Sequence, residues 1–358
     1  MSDKIRAYFY SLMSDKRQGL LAAAVKLFFS LISFCYYCGV EFIKFLYRLR
    51  LLKSYRCACK VVSVGNITLG GTGKTPLVVT LAGYLNGSGK KVAVLSRGYG
   101  GDRVTSDEVE LLKKRLPGVP VLVGRDRIKT AREADESLKA DVILLDDGFQ
   151  HWRLKRDLDI VTLDINNPFG NGRLIPRGTL REPLSSLKRA DIFVLTKVGF
   201  EGDSIAKAQG LKARLGVINA DAAVFTSSYI PSRLFDVAGP EELKLSFIDN
   251  KKIVLVCAIG DPESFEDTAK ALGADIVLRF FFMDHHKYTG EELGAIIKEC
   301  EEKGIDIILT TEKDVPRLVD SPQSIVHSSK MRFLALGIEM KIDNEEKFFG
   351  RLYSIFNS

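Results

Sequence analysis

No cysteine spacing in this sequence matches a metal knuckle or a disulfide framework. The six cysteines, Cys35, Cys38, Cys57, Cys59, Cys257 and Cys300, are scattered, and Cys57-Ala58-Cys59 lacks both the spacing and the second half of a zinc site. They read as reduced thiols, which excludes a secreted disulfide scaffold and implies no cysteine-held metal. Internal repeats and low-complexity tracts are also missing, so solenoid and linker architectures are out. Strong basic excess is absent as well: a net charge of +7 is mild for 358 residues. The cations that do cluster, Arg48, Arg50, Lys53, Arg56 and Lys60, sit beside an apolar segment instead of spreading over a domain. That argues against nucleic acid as a partner. It suits the anionic cytoplasmic face of a membrane, or else a solvated basic linker.

What is present begins with an apolar stretch from Leu20 to Val40, broken by the single charge of Lys26. Its length approaches the ~20 residues that cross a hydrocarbon core. Glu41, Lys44 and Arg48 punctuate its continuation, so a helix lying partly in one leaflet fits as well as a spanning one, with Tyr36, Tyr37 and Tyr47 at the interface. A buried core helix is the non-membrane alternative. A cleaved signal peptide is disfavoured, because no small-residue cleavage site follows Val40.

After Lys60 short β-branched runs alternate with helical stretches, at Val61–Val64, Val92–Leu95, Val142–Leu145, Ile160–Leu163 and Ile192–Leu195. Such runs predict a mainly parallel sheet covered on both faces. A second series follows from Ile253, and Thr289-Gly290-Glu291-Glu292 has capping-box spacing. The expected layout is a membrane-associated helical segment over 1–57, an α/β domain of P-loop NTPase type over 58–228, and a smaller α/β domain over 229–358. A cleft between the two α/β layers is the expected ligand site.

The chemistry concentrates in five places. Gly65-Asn66-Ile67-Thr68-Leu69-Gly70-Gly71-Thr72-Gly73-Lys74-Thr75 lies between a strand and a helix. Polyphosphate needs amides that converge without intervening side chains, and a helix N-terminus aimed at the charge. In that scheme Gly70, Gly71, Thr72 and Gly73 cradle the phosphates, Lys74 reaches the β- and γ-groups, and the Thr75 hydroxyl ligates Mg2+. Thr68 stands where the usual first glycine would be, while Pro76 suits a first helical turn. Asp146 and Asp147 end a buried strand and meet the need for a metal-binding carboxylate; a turn-capping role is the alternative.

Gln150 and His151 follow closely and could orient the phosphates, although His151 as an ordinary turn histidine is equally compatible with the physics. Arg173, Arg177 and Arg181 sit among prolines and glycines, so they belong to a loop, suited to an anionic substrate or to solvent. Asp284-His285-His286 follows an apolar run and fits a tuned base, a metal ligand or a satisfied loop histidine.

These stretches, together with Ser96-Arg97-Gly98-Tyr99-Gly100, Leu180-Arg181-Glu182-Pro183 and Thr311-Glu312-Lys313-Asp314, resemble the tetraacyldisaccharide 4'-kinase family of lipid A biosynthesis. The resemblance runs from the apolar segment almost to the C-terminus. It implies a two-domain P-loop kinase on the cytoplasmic face of the bacterial inner membrane. ATP and Mg2+ would be its cofactors and a tetraacyldisaccharide 1-phosphate glycolipid its acceptor, with no obligate protein partner. It also implies a proton-accepting pair whose positions here are Asp107 and His285, with Lys74 and Arg181 spreading the developing charge. Ser106 and Val109 replace the glycine and proline that flank this aspartate in the family, which leaves Glu108 and the more distant Asp261 as alternatives for the base. Two rivals share the P-loop. One is a membrane-associated nucleotide switch of the partitioning or targeting type, and the other a scaffold with a relic loop.

Overall fold

The computed structural model describes residues 8–9, 11–98, 107–199, 202–239, 241–284, 286–319 and 331–357. The chain forms two compact units, one of Met1–Ser228 with Met340–Ser358, the other of Tyr229–Glu339. The last 19 or so residues therefore group with the first unit, whereas the sequence pattern places 229–358 together. The reason is local: Phe348 packs edge-on against Phe225 at 5.2 Å, and Phe349 stacks on Tyr84 at 3.5 Å.

Within the first unit the strands are β1 (Lys60–Gly65), β2 (Val92–Ser96), β3 (Val121–Val123), β4 (Val142–Asp146), β5 (Leu158–Asp164), β6 (Ile192–Thr196) and the start of β7 (Ala223–Asp236). They pair in the order β3-β2-β4-β1-β5-β6-β7, and every pairing is parallel. This is the parallel α/β sheet expected from the continuous apolar runs, which burial on both faces requires. Fully buried Val62, Val64, Ile143, Leu144, Ile160 and Phe193 fill its two sides. Each contributes about 1.5–3 kcal/mol relative to exposure. Connections from β1 run to opposite sides, towards β2 and, after β4, towards β5. Such a reversal leaves a crevice at the carboxyl ends of the strands. In register, Val64 stands beside Asp146, so β1 and β4 deliver their next residues to the same edge.

The N-terminal helix α1 (Leu20–Arg48) reverses the usual amphipathic arrangement. Ser33 and Lys44 are buried on its inner side and Tyr36 is half-buried, while Leu20, Leu21, Leu27, Phe28, Leu31, Phe34, Phe42 and Phe45 are exposed. A helix with its polar side turned to the protein and its apolar side outward has no packing reason for that outward side in water.

The second unit contains β9 (Lys252–Cys257), β10 (Asp275–Phe281), β11 (Ile307–Thr311) and most of β12 (Arg332–Ile342), in the parallel order β10-β9-β11-β12. The latter part of β7 pairs antiparallel with the short β8 (Glu242–Leu243). Its helices include α6 (Pro262–Ala271) and α7 (Gly290–Glu302). The capping box read from Thr289 and Glu292 is formed in both directions, satisfying two amides at the start of α7. Buried Asp314 accepts from Thr311 Oγ1 at 2.6 Å, from the Ala258 amide at 3.3 Å and from Arg317 at 3.0 Å, so a charge at the base of this unit is fully partnered.

Candidate active site

The loop between β1 and helix α2 (Lys74–Gly87) departs at Gly65, where an added Cβ would lie 2.5 Å from Phe149 Cβ and 2.7 Å from its amide nitrogen. Only glycine lets the β1 and β4 exits approach that closely. Gly70 (φ +117°) and Gly73 (φ +83°) take left-handed conformations, and Gly73 opens α2. Gly70 and Gly71 have open space where a Cβ would stand. Thr72 is buried, with its hydroxyl 2.8 Å from that of Thr162 and its carbonyl accepting from Thr196 at 3.1 Å. Those contacts pin the loop from beneath, so its upper amides and the α2 N-terminus face the crevice. Lys74 and Thr75 form the first turn of α2 and are half-buried.

The two aspartates divide their tasks. Asp147, in a left-handed conformation (φ 57°), turns its carboxylate back over the loop, with Oδ1 2.6 Å from the Arg181 guanidinium and 3.7 Å from Lys74 Nζ. Burial pushes this carboxyl up, but the Lys74 and Arg181 charges outweigh it and hold it below the ordinary range. Asp146 is 6% exposed, and its Oδ1 has no hydrogen-bond partner among the described residues. Burial, with Asp147 and Glu108 adding to it against Lys74 and Arg127, pushes its carboxyl up to about 6. A buried carboxylate oxygen without a donor among the described residues, with the Asp147 carboxylate as a charged neighbour, is the environment a divalent cation relieves. The residues present thus fit Mg2+.

Arg181 is held at every end. Its amide donates to the Ile67 carbonyl at 2.8 Å, and its guanidinium reaches Asn66 Oδ1 at 3.2 Å as well as Asp147. Leu69 donates to the Thr179 carbonyl at 2.7 Å, so the arginine loop and the glycine loop are zipped together. Gln150 braces the same segment, Nε2 donating to the Asn66 carbonyl at 2.8 Å. His151 is half-buried and its Nε2 has no partner among the described residues. Burial first, then the charges of Arg127, Arg156 and Arg153, lower its pKa to about 4.

Asp107 begins helix α3 (Asp107–Arg115), but its side chain lies outside the described residues, as do His285, Tyr99 and Gly100. Arg173 and Arg177 do not join the phosphate site: they line a cavity of about 340 Å³ with Ser30, Ser33, Phe34 and Leu184.

Three contributors, Arg127, Arg189 and Asn66, were not singled out in the sequence. Arg127, 3% exposed, donates to the Asp147 carbonyl at 2.9 Å and to that of Asp146, fixing the backbone of the acidic pair. Glu182 pairs with Arg189 at 2.8 Å, and the same guanidinium lies 4.2 Å from the Phe149 ring centroid and 4.0 Å from that of Trp152. Neither arginine had a local signal, since each acts through carbonyls and rings distant in sequence. Asn66 could have been found as the polar residue directly after β1.

Comparison with known proteins follows this geometry. The family model described as Tetraacyldisaccharide-1-P 4'-kinase matches residues 25–357. The tetraacyldisaccharide 4'-kinase of Halothermothrix orenii is 37% identical, covering 95% of this chain and 96% of its own. That of Syntrophus aciditrophicus is 38% identical, covering 88% and 89% respectively. A crystal structure of the "apo" form of LpxK from Aquifex aeolicus in complex with ATP superposes with a TM-score of 0.68 at 30% identity, over 91% of this chain and 97% of that one. The chain belongs to the tetraacyldisaccharide-1-P 4'-kinase family.

Proposed function

We propose that this protein moves the γ-phosphoryl group of ATP to the 4'-hydroxyl of a tetraacyldisaccharide 1-phosphate, a step of lipid A biosynthesis. The observation that carries the reading is Lys74 and Arg181 converging on Asp147 over a glycine loop, next to an Asp146 whose Oδ1 has no partner among the described residues, in a chain of this family. Phosphoryl transfer asks for alignment and charge neutralisation more than covalent chemistry. Amides of Gly70 to Gly73 and the α2 N-terminus would bind the β- and γ-phosphates. Lys74 turns from Asp147 to the transferred group, and Arg181 stands on the other side of that carboxylate, ready to spread charge.

Asp146, Thr75 and Asp147 would hold Mg2+, which would supply positive charge to offset that of the phosphates. Gln150 keeps the start of the glycine loop in place, and the uncharged His151 adds no competing positive charge beside it. On the family resemblance, Asp107 and His285 are the residues proposed to take the hydroxyl proton.

The substrate's acyl chains need an apolar home, and α1 supports one. Its exposed Leu27, Phe28 and Leu31 point away from the protein, while its polar side is docked, so the helix lies along the membrane surface and does not cross it alone. The cations from Arg48 to Lys60 suit the anionic lipids of a cytoplasmic face and support that side for the contact. The cavity beside Arg173 and Arg177 is suited to part of an anionic amphiphile. The test is to incubate purified protein with labelled ATP and a tetraacylated disaccharide 1-phosphate in mixed micelles. A bisphosphorylated lipid is expected. ATP hydrolysis without lipid phosphorylation would favour the nucleotide switch instead.

A further inference from the structure

The loop that carries Arg181 has no helix or strand between Asn171 and Pro183, only turns and an isolated bridge between Leu174 and Leu180. Some of its backbone groups bond to one another, as the Ile175 amide does to the Leu180 carbonyl, and others take partners from elsewhere. Helix α1 supplies several of them. Ser33 Oγ donates to the Leu174 carbonyl at 2.9 Å and accepts from the Arg177 amide at 3.0 Å. Tyr36 Oη donates to the carbonyl of Arg181 at 2.8 Å. Just before the helix, Asp15 takes the Arg177 guanidinium at 2.8 Å, the Asn171 amide group at 2.9 Å and Lys26 at 2.7 Å. The membrane-facing helix thus forms one wall of the loop, and the glycine loop forms the other, through Ile67 and Asn66.

We infer that Tyr36 is a positioning residue for Arg181, and that α1 is a structural part of the phosphate site as well as its attachment to lipid. The residue is gripped across its own peptide units: Ile67 holds its N–H, Tyr36 its C=O, and Asp147 its guanidinium. An arginine side chain has many rotamers, and holding its end against a carboxylate requires that its backbone stay put. Releasing one of the two backbone ties lets the main chain rotate and draws the guanidinium off Asp147. Asp147 would then draw more heavily on Lys74, at the moment when Lys74 is needed on the phosphate. A helix unseated from the loop would leave the nucleotide cradle in place but its second cation adrift.

The inference rests on the kinase reading for one of its two readouts. Tyr36→Phe removes the hydroxyl and keeps the ring, and it is combined with Arg181→Ala in a double-mutant cycle on the full-length protein. The cycle is read on lipid phosphorylation in mixed micelles and, without acceptor, on Mg-ATP affinity. Loss of one neutral hydrogen bond predicts a fall in turnover of roughly 3- to 10-fold for Tyr36→Phe. In the Arg181→Ala background the same change should cost nothing further on either readout. Equal losses in both backgrounds, or no loss in either, overturn the inference. A wild type that leaves the disaccharide unphosphorylated refutes the kinase reading, and the affinity cycle still decides the role of Tyr36. Vesicle co-sedimentation serves as the control: a Tyr36→Phe protein that loses only membrane binding marks α1 as a tether and nothing more.

Discussion

Arg181 and Asp147 meet at 2.6 Å, and Lys74 stands 3.7 Å from the same carboxylate oxygen. One acidic group thus parks two cations beside the glycine loop, where the proposed transfer needs them. Replacing Lys74 with alanine should lower turnover by on the order of 10³, since preorganised charge of this kind is worth a few kcal/mol in the transition state. Steady-state transfer of labelled phosphate checks it. Activity near the wild-type level would remove Lys74 from the mechanism.

Asp146 should reveal itself through a conflict between stability and function. Because burial raises its carboxyl to about 6, ionisation opposes folding of the metal-free protein. Its stabilising contribution is intact below the unfolded value of about 4 and is lost as pH rises through about 6. Asp146→Asn should therefore melt roughly 2–4 °C higher than wild type at pH 7 without metal, and no higher at pH 4. The same variant should lose most Mg-dependent turnover. A scanning-calorimetry series across that pH range, with and without Mg-ATP, tests both halves.

The imidazole of His151 should stay uncharged well below neutrality. Burial and its arginine neighbours depress the pKa to about 4, so its contribution to stability is present above about 6.5 and is lost as pH falls towards about 4. Proton NMR of the ring, assigned with a His151→Gln protein, gives the value. Titration near 6.5 would mean that the ring is solvated and the burial argument is wrong.

Two glycine replacements should separate packing from binding. At Gly65 an alanine meets Phe149 at 2.5 Å and should destabilise the fold by about 1–3 kcal/mol. At Gly71 nothing lies within 4 Å, so alanine should leave denaturation unchanged and weaken ATP binding by intruding on the phosphates. Urea denaturation and nucleotide titration on both variants distinguish the two effects.

Helix α1 should bind lipid through the side that the protein leaves bare. Changing Leu27, Phe28 and Leu31 to serine removes exposed apolar area and should weaken vesicle partitioning by about 1 kcal/mol or more per residue, without altering the melting midpoint. A drop in the midpoint instead would show those side chains to be packing residues.

Much of this was visible in the residues themselves. Continuous β-branched runs announced the parallel sheet, and the turn from Gly65 to Thr75 announced the phosphate cradle, because both signals are local. The separate duties of Asp146 and Asp147 were not visible, since they depend on a left-handed backbone at Asp147 and on two cations brought from elsewhere in the chain. Arg127 was hidden for the same reason: it acts on carbonyls some twenty residues away. The inward polarity of α1 escaped because its composition leaves a spanning, a surface-lying and a core helix all open, and only packing shows which side is occupied. The return of 340–358 to the first unit depends on aromatic contacts of Phe348 and Phe349 with Phe225 and Tyr84, far away in the chain, which periodicity does not encode.

The arrangement of α1 separates two kinds of evolutionary freedom. On the proposed membrane contact, side chains on its outer surface answer only to the thickness and chemistry of the bilayer, so they can be exchanged for other greasy residues as the host's lipids change. Ser33 and Tyr36, a turn or less away, answer to the arginine loop and cannot drift with them. Adaptation to a new envelope can thus proceed along one stripe of a single helix without retuning the chemistry beneath it.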